Sequence, residues 1–456
     1  MGDLCRRFAR VFIVCAVAAV IGPRVHAADD EVLQLSVWLA EGKETIVVKK
    51  VAHRVWKREE DPRLVIAYCT AQFGLLRQRS ECPISPASPR QIQQFGTGLW
   101  TLWNGQARLA RDIFEALSSD PQWTEWGRTG LLEWASHTTN HAMLESLLKD
   151  YSAWAYHQES RFAKLHDEYS VRHALQAGEF DKIEKLLGRY PLQEILKTPW
   201  LFGAYCRRLF VMDQPKDLHE MLRRARPALG RSSTYLAAQA DHLWLESGLR
   251  ASWQLLKKHA KTGVLDVGMS LESAYTDILY GSSEESAQGL ERVLNVAAAR
   301  KRDPRMLLDI SISLALSRKH EQAIQVRRMI DVDTEDLKEF TSYYTYEAWE
   351  AVYAGDLERA RKDVGAALAR SAGDFEANRL KALIAKSQND AHSAVDALNI
   401  LLQVDPYNEN HANVFLYFRD RGRTPDLDAI CQTVIRRASH YSPAFRGKIL
   451  DTCQSK

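Results

Sequence analysis

A unit that returns every 33 to 37 residues constrains this chain more than any other feature. In LKALIAKSQNDAHSAVDALNILLQVDP, small Ala382 and Ala394 lie 12 apart, Leu398 and Leu401 follow Ala394 at plus four and plus seven, and Pro406 closes the second apolar run. Those spacings put the side chains on one helical face. Small residues let two helices approach, and proline cannot continue a helix. The preceding segment, AWEAVYAGDLERARKDVGAALARSA, repeats the pattern through Ala348, Gly355-Asp356 at the turn, Ala360, Val364 and Ala367, with Ala372 where the proline would stand. Equivalent anchors fall at Ile183, Leu218, Ala251, Ala287, Ala323, Ala360, Ala394 and Ala429. Upstream, GLWTLWNGQARLARDIFEALSSDP restores the unit with Gly98, Gly105, Ala110, Phe114, Leu117 and Pro121, and a less regular unit covers Ala142 to Leu148. No alternating run of useful length reads as a strand.

The unit resembles the tetratricopeptide repeat, a helix-turn-helix of about 34 residues with small residues where its two helices touch. The resemblance implies an all-α fold, a right-handed superhelical solenoid of tetratricopeptide-like hairpins over residues 91–450, working through protein–protein contacts. Residues 28–81 read as helical without the repeat, and are expected to form an N-terminal helical cap on the first unit. Between them, CPISPASPR (82–90) carries three prolines in nine residues and reads as a stiff linker.

The N-terminus points to export. Arg6, Arg7 and Arg10 precede an apolar stretch of 11 residues, Val11 to Ile21, and Val25-His26-Ala27 offers a small-x-small cleavage site. This is the pattern of a signal peptide, 1–27, cleaved after Ala27; the stretch is shorter than the roughly 20 residues of a membrane span. The expected location is periplasmic or secreted, with no transmembrane span in the mature chain. Four of the 61 basic and one of the 58 acidic residues lie before residue 28, so 57 of each remain. A balanced chain without long like-charge runs argues against nucleic acid as a partner.

Five cysteines follow the leader. In an oxidising compartment, Cys69 with Cys82 and Cys431 with Cys453 are the candidate disulfides, each pair being close in sequence. Cys206, beside Tyr205 and Leu209 in a helical pattern, reads as a small buried thiol.

The chain contains no phosphate-cradling glycine loop, nucleophile elbow or zinc-helix motif, and the repeats continue to Ile449, leaving no room for a catalytic domain. No enzyme activity, cofactor or metal is expected. His137 and His141 have the i, i+4 spacing of two ligands on one helical face, without the adjacent glutamate or third ligand of a zinc site.

In the tetratricopeptide register the inner face of the C-terminal hairpins carries Trp349, Arg379, Lys386, Asn410, Asn413 and Tyr417, and these are the candidate partner-binding residues on a concave face. Arginine, lysine, amides and aromatics suit an extended peptide or a helix of an envelope protein. The expected function is therefore an exported scaffold or adaptor in assembly of a cell-envelope complex, whether for secretion, polysaccharide export or a surface structure. The alternative is a glycan-binding protein guiding exopolysaccharide or peptidoglycan along Trp100, Trp103, Trp123, Trp126, Trp134 and Trp154, since aromatic faces stack on sugars. That alternative needs the rings exposed; the adaptor needs them buried.

Overall fold

The computed structural model describes residues 26–51, 54–58, 60–75, 82–157, 161–261, 267–404, 409–422, 424–441 and 443–454. The candidate leader, 1–25, lies outside them. Among the described residues the chain forms 26 α-helices, one 3-10 turn and no strand. No helix among them is long and apolar enough to cross a membrane.

From Arg90 to Arg436 the helices pair into ten antiparallel hairpins, beginning with Arg90–Trp103 against Ala107–Ser119 and ending with Glu409–Arg419 against Pro425–Arg436. Eight of the ten turns hold a residue at positive φ: Gly105, Thr139, Gly178, Asp213, Gly248, Arg318, Gly355 and Asn389. A left-handed residue after the last helical turn redirects the chain and satisfies free carbonyls; Gly105, for example, donates to Leu102 O at 3.0 Å. Along much of the chain the first helices of successive hairpins also pack on one another, as Pro304–Leu316 does on Thr341–Tyr353.

The small residues sit where the hairpins close, with three shifts of register. Ile183, Leu218, Ala323, Ala360 and Ala394 are buried, whereas Ala287 and Ala429 are exposed and Ala251 is half-buried. In those hairpins the buried contacts are Gly289, Ile430 and Ser252. Gly289 is the clearest case, because a Cβ there would lie 2.5 Å from Ala274 O on the facing helix.

Hairpins five or six places apart in the chain, or the links beside them, also touch. Arg108 N donates to Asp336 Oδ1 at 2.9 Å across 228 residues, and Thr341 Oγ1 donates to Thr139 O at 2.9 Å across 202. Gly178 rests against Gln403, and Arg207 Nη2 donates to Val404 O at 2.8 Å across 197 residues. His440 and Asp213 meet at 2.8 Å. Hairpins one to four thus face hairpins seven to ten or the links beside them.

The N-terminal helices His26–Ala40, Glu44–Val51 and Pro62–Leu75 share a core with the first two hairpins and with Leu308, Ile312 and Phe340 far along the chain. They reach beyond the first unit, since His26–Ala40 also packs on Pro199–Val211. The Pro-rich segment is strapped down at several points. Cys82 is disulfide-bonded to Cys69, Pro83 O accepts from Tyr68 Oη, Ile84 lies over Gly96, and Ser88 Oγ accepts from Trp56 N. Cys431 and Cys453 are likewise joined, and Cys206 is free and fully buried.

Candidate functional site

A partly open cavity lies among the N-terminal helices and several of the hairpins. Its volume is about 350 Å³, within the usual range for a small-molecule site. One wall comes from first helices, through Glu133, His137, Arg172, Tyr275 and Ile310; the N-terminal helices oppose it with Leu39, Thr70 and Phe73. Trp103, Met306 and Phe375 complete the apolar lining.

The polar groups of this wall are ordered by one another. Tyr169 Oη donates to Glu133 Oε2 at 2.5 Å, and Arg172 Nη2 donates to Glu168 Oε1 at 2.6 Å, with its Nη1 3.9 Å from Glu133. Burial, reinforced by the Glu133 charge, pushes the Tyr169 hydroxyl well above its ordinary pKa, so it stays a donor. Asp303 caps the helix Pro304–Leu316 by accepting from Met306 N at 2.9 Å, and burial raises its carboxyl pKa.

His137 and His141 both line the cavity, but they are not two ligands on one helix. The helix Thr124–His137 ends at the first, the helix His141–His157 starts at the second, and Thr139 between them has φ 54°. The i, i+4 reading assumed an unbroken helix; the left-handed residue breaks it and turns the second imidazole toward His173, on which it stacks with centroids 5.7 Å apart. His137 instead sits edge-on to Phe340 and bonds Arg305 Nη1 through Nδ1 at 3.4 Å. Burial and then the Arg305 charge hold His137 well below the usual histidine pKa; burial, His173 and Arg305 take His141 to about 3. No group of three or more metal-ligating side chains occurs among the described residues.

None of the candidate partner residues whose side chains are described lines this cavity. Trp349 is half-buried between core clusters, 6.5 Å from His320, which stacks on Tyr353 at 4.1 Å. Arg379 pairs with Glu376 at 3.5 Å. Lys386 Nζ sits 4.9 Å over the Tyr417 ring, whose other neighbour, Arg421, lies 3.6 Å from the ring centroid. Asn413 is half-buried. Asn410 belongs to the helix Glu409–Arg419, but its side chain lies outside what is described. Lys386 and Tyr417 therefore share one basic-aromatic cluster, while Trp349 belongs to a second with His320 and Tyr353. The Tyr353 ring was absent from the sequence reading, and its 64% exposure is the largest among the exposed large apolar and aromatic side chains described.

Trp100, Trp103, Trp123, Trp126 and Trp134 are buried; Trp154 falls among the side chains not described. Two of the indoles are fixed by hydrogen bonds, Trp126 Nε1 to Arg58 O at 3.1 Å and Trp134 Nε1 to Ala107 O at 2.9 Å. These five rings pack the fold, and Trp103 also lines the cavity.

The geometry defines an all-α protein of stacked helix hairpins. The sequence matches no protein-family model and no curated protein.

Proposed function

We propose that this chain is an exported, tetratricopeptide-like solenoid acting as a scaffold or adaptor in the assembly of a cell-envelope complex. Hairpins returning at the repeat period, first helices stacked on first helices, and contacts five or six hairpins apart fit a superhelix whose successive turns touch. Two disulfides fit an oxidising compartment. The observation that carries the reading is Tyr353, which is 64% exposed, stacked on His320 and set beside Trp349. An exposed aromatic at the end of a first helix is the type of side chain that anchors protein interfaces. A partner such as an extended segment or helix of an envelope protein would cover this cluster and the neighbouring Lys386–Tyr417 face.

The test is a photo-crosslinking amino acid placed at position 353 in cells, with position 358 as an exposed control. A single envelope protein captured at 353, absent at 358 and competed by unlabelled wild-type protein, is expected. Equal yields at both positions would overturn the assignment of this face.

A further inference from the structure

The cavity places several buried hydrogen-bond donors close to one arginine. Arg305 lines it, at the start of the helix Pro304–Leu316, yet no carboxylate lies within 4.0 Å of its guanidinium among the described residues; the guanidinium meets the imidazole of His137 instead. Because His137 Nδ1 accepts from that cation, the ring hydrogen resides on Nε2, and Nε2 has no hydrogen-bond partner. His141 is only 7% exposed and its Nδ1 is also without a partner. Arg172 Nε, on the same wall, is a further donor without an acceptor. Buried polar groups are nearly always satisfied, so His137 Nε2 and Arg172 Nε, two donors without acceptors on a wall that also carries a guanidinium no carboxylate contacts, favour a ligand that accepts hydrogen bonds.

The rest of the lining states what that acceptor is attached to. Phe73, Trp103, Leu271, Met306, Ile310 and Phe375 form an apolar body to the site. Six carboxylates also line the site, Glu44, Glu133, Glu272, Asp303, Asp309 and Asp374; Asp303 accepts from the Met306 amide and feels the Arg305 charge, Asp374 accepts from Ala377 N, and Glu133 faces Tyr169 and Arg172. We propose that the cavity binds a small molecule with an apolar body and one carboxylate, the carboxylate received by Arg305 beside His137 and the body packed between the N-terminal helices and the first-helix wall. The site is distinct from the outer face around Tyr353, and does not depend on it.

Three probes with one body and three head groups decide the matter: 3-phenylpropanoate, 3-phenylpropanol and 3-phenylpropylamine, titrated by calorimetry into the full exported protein and into Arg305→Gln and Arg305→Lys. The carboxylate is expected to bind wild type about tenfold or more tighter than the alcohol, as a charge-assisted hydrogen bond to a guanidinium would give, and the amine weakest. Arg305→Gln should bring the carboxylate down to the alcohol and leave the alcohol unchanged, and Arg305→Lys should keep part of the preference. Equal binding of all three, tighter binding of the amine, a carboxylate preference that survives Arg305→Gln, or no binding by any probe overturns the proposal. Should Arg305→Gln not fold, the comparison of head groups on wild type decides alone.

Discussion

Two glycine-to-alanine substitutions, chemically identical and both within helices, should change stability in opposite directions. Gly127 lies in the helix Thr124–His137, where an added Cβ would stand 2.0 Å from Ser118 N, 2.4 Å from its Cα and 2.6 Å from Leu117 C. All three are backbone atoms of the neighbouring segment, which cannot rotate aside as a side chain would. Carbon contacts relax near 3.5–4.0 Å, so the two helices must part by roughly 1 Å or more. Overpacking of this kind costs about 1–3 kcal/mol, and rigid backbone on both sides places Gly127 at the upper end. Replacing glycine by alanine within a helix returns about 1 kcal/mol, which leaves a net loss of about 2 kcal/mol. Gly365, in the helix Leu357–Arg370, has no atom within 4 Å of the same added Cβ. Gly365→Ala therefore keeps only the gain of about 1 kcal/mol. Urea unfolding followed by circular dichroism, with both variants beside wild type, reads the difference as midpoints moving apart, downward for Gly127→Ala and upward for Gly365→Ala. A Gly127→Ala midpoint at or above that of wild type would refute the close crossing of the first two hairpins.

Other consequences follow from the cysteines, the histidines and the contacts between distant hairpins. The exported protein should show no reactive thiol when native, one after denaturation and five after reduction, because Cys206 is buried, with its thiol pKa pushed up by burial, while the other four are bonded; a count of labelled thiols by intact mass checks this, and more than one label before reduction contradicts it. His137 and His141 have folded-state pKa values held below 6.5, the latter at about 3, so the unfolded chain binds more protons below that pH. Stability is full above pH 6.5 and falls as pH drops, by up to about 1.4 kcal/mol per unit for each histidine. Urea midpoints at pH 7.5, 6 and 5 should decline in that order; a midpoint that holds or rises contradicts the burial. Arg207, buried, donates to Val404 O at 2.8 Å and lies 3.7 Å from buried Asp241. Arg207→Ala should cost about 3–5 kcal/mol and raise hydrogen exchange in both the Pro199–Val211 and Ala391–Val404 helices, whereas a change confined to the first would deny their contact.

The helix hairpins were legible because their signals are local. A small residue, an aliphatic at plus four and a turn of Gly-Asp or Asn-Asp act within one unit, and the anchors at Leu218, Ala323, Ala360 and Ala394 fall on buried contacts. Where several small residues compete, the pattern alone chose wrongly: Ala287 over Gly289, and Ala251 over Ser252. Only the facing backbone, Ala274 O in the case of Gly289, distinguishes them. The cavity was illegible for a different reason. Arg305 and His137 are 168 residues apart, and no periodicity links them. His137 and His141 stood out by their spacing, but that spacing presumes a continuous helix, and Thr139 at φ 54° is a tertiary outcome that a threonine does not announce. The aromatic content of the N-terminal half was visible; whether it faced solvent depended on helices that return some 200 residues later, as Phe340 and Leu308 do in the same core.

The scaffold reading stands or falls with a stoichiometric partner in the envelope. Affinity purification of the tagged, exported protein from lightly crosslinked envelopes, with partners identified by mass spectrometry, tests it most directly when run beside an Arg379→Ala/Lys386→Ala/Asn413→Ala variant and a Tyr353→Ala variant. The account predicts one envelope protein recovered in fixed ratio with wild type and reduced in at least one of the variants, each shown to be folded by its melting transition. Recovery of the protein alone, or of the same partner undiminished in both variants, would contradict it.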